Sequence, residues 1–599
     1  MLGCRRLTVD AAVLPAQRAV TVLPARWAAG SGYAASGEGG LVAGVAEPPG
    51  PRAVGGPAAI RIAGGSSGAR RRRVPLVLAL VLTAAVRVVF LVRDNTLSAD
   101  EAVTGVMAQN ISAGSRWYVF FAGQNYNSAV EQYPQALLFT LGAPQDAFWL
   151  RIPELVMNVI SCALVYQVGR RLFNDSWRPG LAALLFAVGP IFQITRGSVS
   201  TGSYTTQLAL GLLTVLCALS LRPELTRRRR VAAAVLIGLA LTGTFYLTAS
   251  GYFLVLPAVV WAVPSLLRLH LVVPALCGVV AGSAVPALYW VTHRSSFFPQ
   301  LGIRASTPTS RLGDLLDPVG RMFLGLAHSA GAAGVPIGLA RILLWVAVLA
   351  LVAAIVIRRR SIVALLWLRP AGRRPLDVML VAVTLAMGGY VASRYAYFTI
   401  DPRYLYATSP GLILLLAALA DPAALGRLGK PVTSAAAGNA GGFTRVGVAA
   451  VSALLLFFIG GPTAVMLRHS SLDSNGNTSN LPNTGIDSDM AAAIKVLSRE
   501  GTRYVFAAYW QAVPMDFLAQ GRLTAVSYGA QNRFPEQRAE ADAAPMREVA
   551  WMDLSFETAM AGALARHHIG YRARRFGHVT VYDQFSVSTD PGRIGLKGP

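Results

Sequence analysis

Apolar residues fall along this chain in long blocks separated by polar segments. The blocks run roughly over residues 74–92, 148–168, 181–195, 204–221, 231–246, 252–267, 271–289, 336–357, 376–392, 404–420 and 446–467. A membrane crossing takes about 20 apolar residues, so the pattern predicts about eleven transmembrane helices. Three polar stretches are long: a first loop over residues 93–147, a second over 292–335, and the tail after Arg468. In the tail the rhythm changes. Residues 490–497, 510–518 and 556–567 carry helical apolar spacing, whereas 504–508, 549–552 and 579–582 read as short strands. The tail is therefore expected to be a small α/β domain over residues 468–599, beside a multi-pass domain over 70–467.

Residues 1–69 are rich in Gly, Ala and Pro and lack apolar periodicity or a signal-peptide core. They are expected to be a disordered segment, or the product of an upstream start that is not used.

Charge then orients the helices. Arg70 to Arg73 precede the first block, which holds that end in the cytoplasm. With eleven crossings, the clusters Arg170–Arg171–Arg178, Arg227–Arg230, Arg358–Arg360, Arg373–Arg374 and Arg427–Lys430–Arg445 all fall inside. A missed or invented crossing would scatter them over both sides. The amino terminus is then cytoplasmic and the carboxyl terminus extracytoplasmic, in a plasma (inner) membrane.

Composition agrees with that class. The chain is 54% hydrophobic and only 14% charged, with a mean hydropathy of +0.49. An ordinary soluble protein is about 25% charged. The net charge of +25 does not indicate nucleic acid, because the arginines cap apolar blocks instead of forming a basic face with interleaved aromatics. Lysine occurs only at 430, 495 and 597, which together with abundant Ala, Gly and Val points to a GC-rich bacterial source. Cys4, Cys162, Cys217 and Cys277 show no metal-ligand spacing and support no disulfide framework.

The first loop carries the chemistry. Leu97-Ser98-Ala99-Asp100-Glu101 opens it, and Val103, Val106, Met107 and Ile111 follow at helical spacing. This predicts a short amphipathic helix at the outer surface with two adjacent carboxylates in its first turn. From the residues alone, capping by Ser98 or Asp100 and catalysis by the acids both remain open. Further on, Trp117-Tyr118 and Gly123-Gln124-Asn125-Tyr126-Asn127 lead to Glu131-Gln132-Tyr133-Pro134. An interfacial aromatic belt accounts for Trp117 and Tyr118. It accounts less well for Gln124, Asn127 and Glu131, which suit a sugar's hydroxyls.

A first span, an Asp-Glu pair opening a surface helix, then Gly-Gln-x-Tyr and Glu-x-Tyr segments: this order resembles the GT-C superfamily. Within it the chain looks most similar to bacterial relatives of the protein O-mannosyltransferases and aminoarabinose transferases (glycosyltransferase family 39). The likeness extends through Arg151-Ile152-Pro153, Asp401-Pro402-Arg403-Tyr404-Leu405 and Tyr509-Trp510 in the tail, and so covers most of the chain from residue 74. Asn127 departs from the pattern of close relatives. The resemblance implies an inverting transfer of one sugar from a polyprenyl-phosphate donor to the hydroxyl of a protein, lipid or glycan. Asp100 would be the general base, and Glu101 and Glu131 would orient the acceptor or hold sugar hydroxyls. Gln124, Tyr126, Glu131 and Tyr133 would bind the sugar or acceptor, and Arg403, Arg87 and Tyr404 the donor phosphate. Arg87 sits inside an apolar block, where a charge must be paired or face a polar cavity, and snorkelling to the surface is an equal alternative.

No residue set calls for a metal, although a divalent cation stays open as a cofactor. Asp487-Ser488-Asp489 spells a metal-binding pattern, but it precedes a helical run and reads better as a cap. His567, His568 and His578 lack the company a metal site needs. The rivals are a transporter or lipid flippase, an oligosaccharide polymerase or ligase of the outer face, and a receptor-like protein built around its tail.

Overall fold

The computed structural model describes residues 65–93, 97–175, 177–293, 307–327, 336–393, 402–420, 452–457, 459–461, 463, 485–529, 531–554 and 559–596, with the side chains of 65–73, 125, 126 and 559 set aside. The expectations for the segment before Gly65, for Asp401, and for the domain boundary near residue 467 lie outside the described residues.

The described residues open with helix α1 (Gly65–Arg93), followed by α2 (Ala99–Ser112), a hairpin of β1 (Phe120–Phe121) and β2 (Gln124–Ser128), then α3 (Gln132–Thr140) and α4 (Ala147–Leu150). The bundle continues with α5 (Ile152–Leu172), α6 (Arg178–Val188), α7 (Ile191–Ser198), α8 (Tyr204–Ser220), α9 (Arg227–Leu247), α10 (Tyr252–Arg268) and α11 (Val272–Thr292). After α12 (Pro308–Asp314) and α13 (Gly320–Phe323) come α14 (Ile337–Leu366), α15 (Leu376–Ala392), α16 (Ser409–Leu419) and α17 (Ser452–Gly461).

Among the described residues six helices are long and apolar enough to cross a membrane: Val74–Arg93, Ala147–Leu172, Arg227–Leu247, Ala249–Arg268, Val272–Thr292 and Ile337–Leu366. The pair α6 and α7 also qualifies but bends by 67°, and four further apolar helices, Tyr204–Ser220, Leu376–Ala392, Arg403–Leu419 and Ser452–Gly461, are shorter. Each apolar block, as far as its residues are described, lands on one of these. The chain is thus a multi-pass membrane protein. Its helices turn Leu, Val and Trp outward, as at Ile342, Trp345 and Leu349 of α14, because lipid tails are as apolar as a protein core.

Two devices join the helices. On α9 and α11 the backbones meet where Gly238 faces the Ala275 carbonyl and Gly278 the Val235 carbonyl, so neither position has room for a side chain. Between α14 and α15, the buried Asp377 accepts from Arg358 Nε at 2.5 Å, Ser361 Oγ at 2.6 Å and the Arg374 backbone N–H at 2.9 Å.

The tail is a mixed α/β layer. Its elements are α18 (Ile486–Arg499), β3 (Tyr504–Ala507), α19 (Tyr509–Ala519), β4 (Thr524–Ser527), α20 (Pro535–Ala543), β5 (Val549–Leu554), α21 (Ala559–Arg566), β6 (Arg572–Phe576) and β7 (Val579–Asp583). The sheet runs β4-β3-β5-β7-β6, with β3 parallel to β4 and β5 and the β5-β7-β6 part antiparallel. Two of its strands, β4 and β6, were not expected from the sequence.

The tail lies directly on the first loop. Phe517 of α19 packs against Gly105 of α2, Gln109 Nε2 donates to the Phe517 carbonyl at 2.9 Å, and Asp487 Oδ2 accepts from the Leu97 backbone N–H at 3.3 Å. Accordingly α2 is not a surface helix with one wet face: Val103, Val106, Met107 and Ile111 are buried, and so are Ala99, Ala102 and Ala108.

Candidate active site

At the start of α2 the two acids separate. Ser98 is the N-cap: its hydroxyl accepts from the Glu101 N–H at 3.2 Å, and Glu101 Oε2 accepts from the Ser98 N–H at 3.4 Å. Capping therefore belongs to Ser98 and Glu101, and not to Asp100. Glu101 is wholly buried, held by Arg151 Nε at 2.7 Å and Nη2 at 2.8 Å, and it also accepts from the Ser200 N–H at 3.3 Å. This planar two-point pairing is how a guanidinium best holds a carboxylate. The Arg151-Ile152-Pro153 segment is thus the partner of Glu101.

Asp100 turns the other way, toward the tail, and stays partly exposed. Tyr509 Oη donates to its Oδ1 at 3.3 Å, and Arg533 Nε donates to Tyr509 Oη at 3.2 Å. Burial pushes the Tyr509 phenol up to about 12, so it remains a neutral donor near neutrality. Gln124 lies at the same place: with its amide oxygen toward Arg533 it accepts from Nη2 at 2.8 Å and Nη1 at 3.1 Å.

A second acidic pocket lies beneath the segment between α7 and α8. Glu131 Oε1 accepts from Thr205 Oγ1 at 3.2 Å and from the Thr206 N–H at 3.2 Å, and the same Thr205 hydroxyl reaches Glu154 Oε2. Gln135 Nε2 links Glu154 to Ser200 Oγ, the latter at 2.6 Å. Glu131 is buried and its Oε2 has no partner among the described residues, and this burial pushes its carboxyl up to about 7. Tyr133, two residues on, donates its hydroxyl to the Tyr118 carbonyl at 2.7 Å and stacks on Trp117 at 5.9 Å. The Tyr126 side chain lies outside the described residues.

The three donor-phosphate candidates are split. Arg87 is fully buried, and its Nη1 donates to the Ala187 carbonyl at 3.2 Å and the Thr83 carbonyl at 3.4 Å. It does not snorkel. It meets the freed carbonyl end of α6, where the chain breaks at Gly189-Pro190 and a helix end favours a cation. Arg403 and Tyr404 are half-buried in the turn Arg403–Thr408, with the Tyr404 ring 6.4 Å from Tyr390.

Sequence reasoning missed Tyr509 as a partner of Asp100, Arg533, Glu154 and the hydroxyl-rich segment Ser198 to Thr206. Glu154 had a signal, being an acid inside an apolar block. So did the run of Ser and Thr between two such blocks. Asp487 and Asp489 do sit in the first turn of α18, yet neither caps it: Asp487 holds the Leu97 N–H, and Asp489 Oδ2 accepts from the His578 backbone N–H at 2.8 Å and faces its Nδ1 at 3.0 Å. Among the described residues no three His, Cys, Asp or Glu side chains gather as metal ligands. A cavity of about 1010 Å³ between α14, α15 and α16 is lined by none of the candidate site residues.

Residues 128–290 match the family model of dolichyl-phosphate-mannose-protein mannosyltransferase. The fold is similar to that of ArnT from Cupriavidus metallidurans bound to undecaprenyl phosphate, with a TM-score of 0.50 and 16% identity, covering 89% of this chain and 100% of that one. The archaeal oligosaccharyltransferase AglB from Archaeoglobus fulgidus, in complex with an inhibitory peptide and a dolichol-phosphate, gives a TM-score of 0.42 at 13% identity, over 86% of this chain and 74% of that one. No curated protein matches the chain by sequence.

Proposed function

We propose that this protein is a glycosyltransferase that moves one sugar from a polyprenyl-phosphate donor to an acceptor hydroxyl on the outer face of a bacterial inner membrane. The chain crosses eleven times in this reading, with its amino terminus cytoplasmic. One observation carries it: at the start of α2 Asp100 is partly exposed and faces the tail, while Glu101 beside it and Glu131 at α3 are buried in hydrogen-bonded pockets.

Asp100 takes the acceptor's proton as the acceptor oxygen bonds to the anomeric carbon. The bond from that carbon to the phosphate oxygen breaks, and polyprenyl phosphate leaves with the electron pair. A single displacement inverts the anomeric centre. Gln124 and Tyr126 of the hairpin contact the acceptor or sugar, Tyr133 offers an aromatic face, and Glu131 supplies a carboxyl beneath. Arg403 and Tyr404 hold the leaving phosphate, where a planar guanidinium suits the oxygens. Arg87 acts from below through its charge, since its side chain is buried. Glu101 orients the start of α2 instead of touching substrate.

The test is label transfer in membranes containing the full chain, supplied with undecaprenyl phosphate bearing mannose, glucose or arabinose. Label leaving the lipid for a chloroform-insoluble acceptor, with inversion, is expected. The bend of 67° between α6 and α7 favours a second reading, a transporter or flippase. Movement of intact labelled lipid between leaflets without cleavage would decide for that one.

A further inference from the structure

The proposal concerns the tail, and it rests on Asp100 being the base. Tyr509 lies 409 positions along the chain from Asp100 and yet donates to its carboxylate. The tail is not loosely tethered there. Asp487 fixes the chain just ahead of α2 through the Leu97 N–H, and Gln109 and Gly105 further along α2 are engaged by Phe517. Gln520 Nε2 adds a bond to the Gln145 carbonyl at 3.2 Å. With α2 gripped at both ends, the Tyr509 hydroxyl is set at Asp100 by the packing of two elements and not by a mobile side chain.

Arg533 completes the arrangement. Its Nε donates to the Tyr509 hydroxyl, its Nη1 reaches the Gly123 carbonyl at 3.4 Å, and its guanidinium lies 5.9 Å from the Phe121 ring centroid and 5.7 Å from that of Tyr509. Gly123 stands at φ +69° in the hairpin turn, where a Cβ would come to 3.0 Å from Arg533 Cδ. The turn thus has the one residue that lets the arginine lie across it. Guanidinium and phenol form one line of donors, Arg533 to Tyr509 and Tyr509 to the accepting Asp100 carboxylate, running from a permanent cation to the base.

We infer that Tyr509 and Arg533 are positioning residues for Asp100: the tail completes the active site by orienting the base and setting a cation one hydroxyl away from it. A cation one hydroxyl away stabilises a carboxylate before it accepts a proton, and the phenol restricts its rotation. The other titratable groups about the start of α2 are Glu101, neutralised by Arg151, together with Asp487 of α18 and Glu131 and Tyr133 at α3.

The experiment uses the full chain in membranes with labelled undecaprenyl-phosphate mannose, or whichever of the three donors wild type accepts. A hydrogen bond to a charged group is worth about 1.5–3 kcal/mol, so Tyr509→Phe should lower kcat about 10- to 100-fold with KM little changed. Arg533→Gln removes a positive charge near the base, so the acid limb of its pH–rate profile should move to higher pH. Arg533→Lys keeps the charge and should restore the limb. A merely structural contact would move neither limb nor kcat once the variants show wild-type melting temperatures in detergent. Wild-type kcat and an unmoved limb in both Tyr509→Phe and Arg533→Gln, with Asp100→Asn inactive, would overturn this inference and leave the base standing. Full activity of Asp100→Asn, or no transfer by wild type from any donor, would overturn both.

Discussion

Two carboxylates adjacent in sequence enter two different regions of this molecule. Asp100 faces the tail, is partly wet, and meets a phenol that leads to Arg533. Glu101 faces the bundle, is dry, and is locked to Arg151 and the Ser200 backbone. One step along the helix separates a partly exposed acid facing the tail from a buried one whose partners are Arg151 and the Ser200 backbone. The lesson is that an acidic pair at a helix start is not one functional unit. The environment on each side of the helix assigns the work.

That contrast can be attacked from both sides. On the bundle side the largest effect on stability is expected from Arg151→Met. It leaves Glu101 buried and unpaired, and breaking such a pair costs about 3–5 kcal/mol. The variant should melt early or fail to accumulate, and normal melting by fluorescence-detected chromatography would count against the structural role. A smaller effect is expected at Glu131, whose carboxyl is raised to about 7 by burial. The sign follows from the direction: a raised carboxyl favours the fold while protonated, fully so below its ordinary value near 4.5, and this support is lost as pH rises through about 7. Glu131→Gln should therefore melt higher than wild type at pH 8 and nearly equally at pH 5. Equal melting differences at both values would remove the burial argument. The smallest effect belongs to Arg116→Ala, which breaks the pair with Glu536 between the loop and the tail. Both side chains are exposed, at 44% and 69%, so less than about 1 kcal/mol is expected, within the scatter of a melting curve.

Much of the fold could be read along the chain because a membrane helix is a local pattern. The block at 181–195 was legible as apolar, but its break was not foreseen, although Gly189-Pro190 stands in it. A Gly-Pro step breaks a helix in lipid only where neighbours satisfy the freed carbonyls, here Arg87 from α1 and Thr463 Oγ1, which donates to the Gly189 carbonyl at 2.9 Å. In the tail, β6 escaped because Arg572-Ala-Arg-Arg-Phe looks like a solvated run. It is a sheet edge whose Arg572 and Arg574 pair with Glu500 and Asp583. The site divides in the same way. The place of Asp100 in the first turn of a helix was legible from Ser98 and the apolar spacing after it. Its separation from Glu101 was not, since Arg151 lies 50 positions away and Tyr509 409. Contacts at such range follow from the three-dimensional packing of α2 between bundle and tail, which no local spacing encodes.

The most direct test of the central claim is the rate of sugar transfer by wild type and Asp100→Asn in the same membranes, with equal protein and equal melting temperature. A positioned general base contributes about 10²- to 10⁴-fold, so the substitution should lower transfer by that factor while KM for the lipid donor holds. Transfer by Asp100→Asn at the wild-type rate would contradict the account and reduce Asp100 to a surface acid that the tail happens to touch.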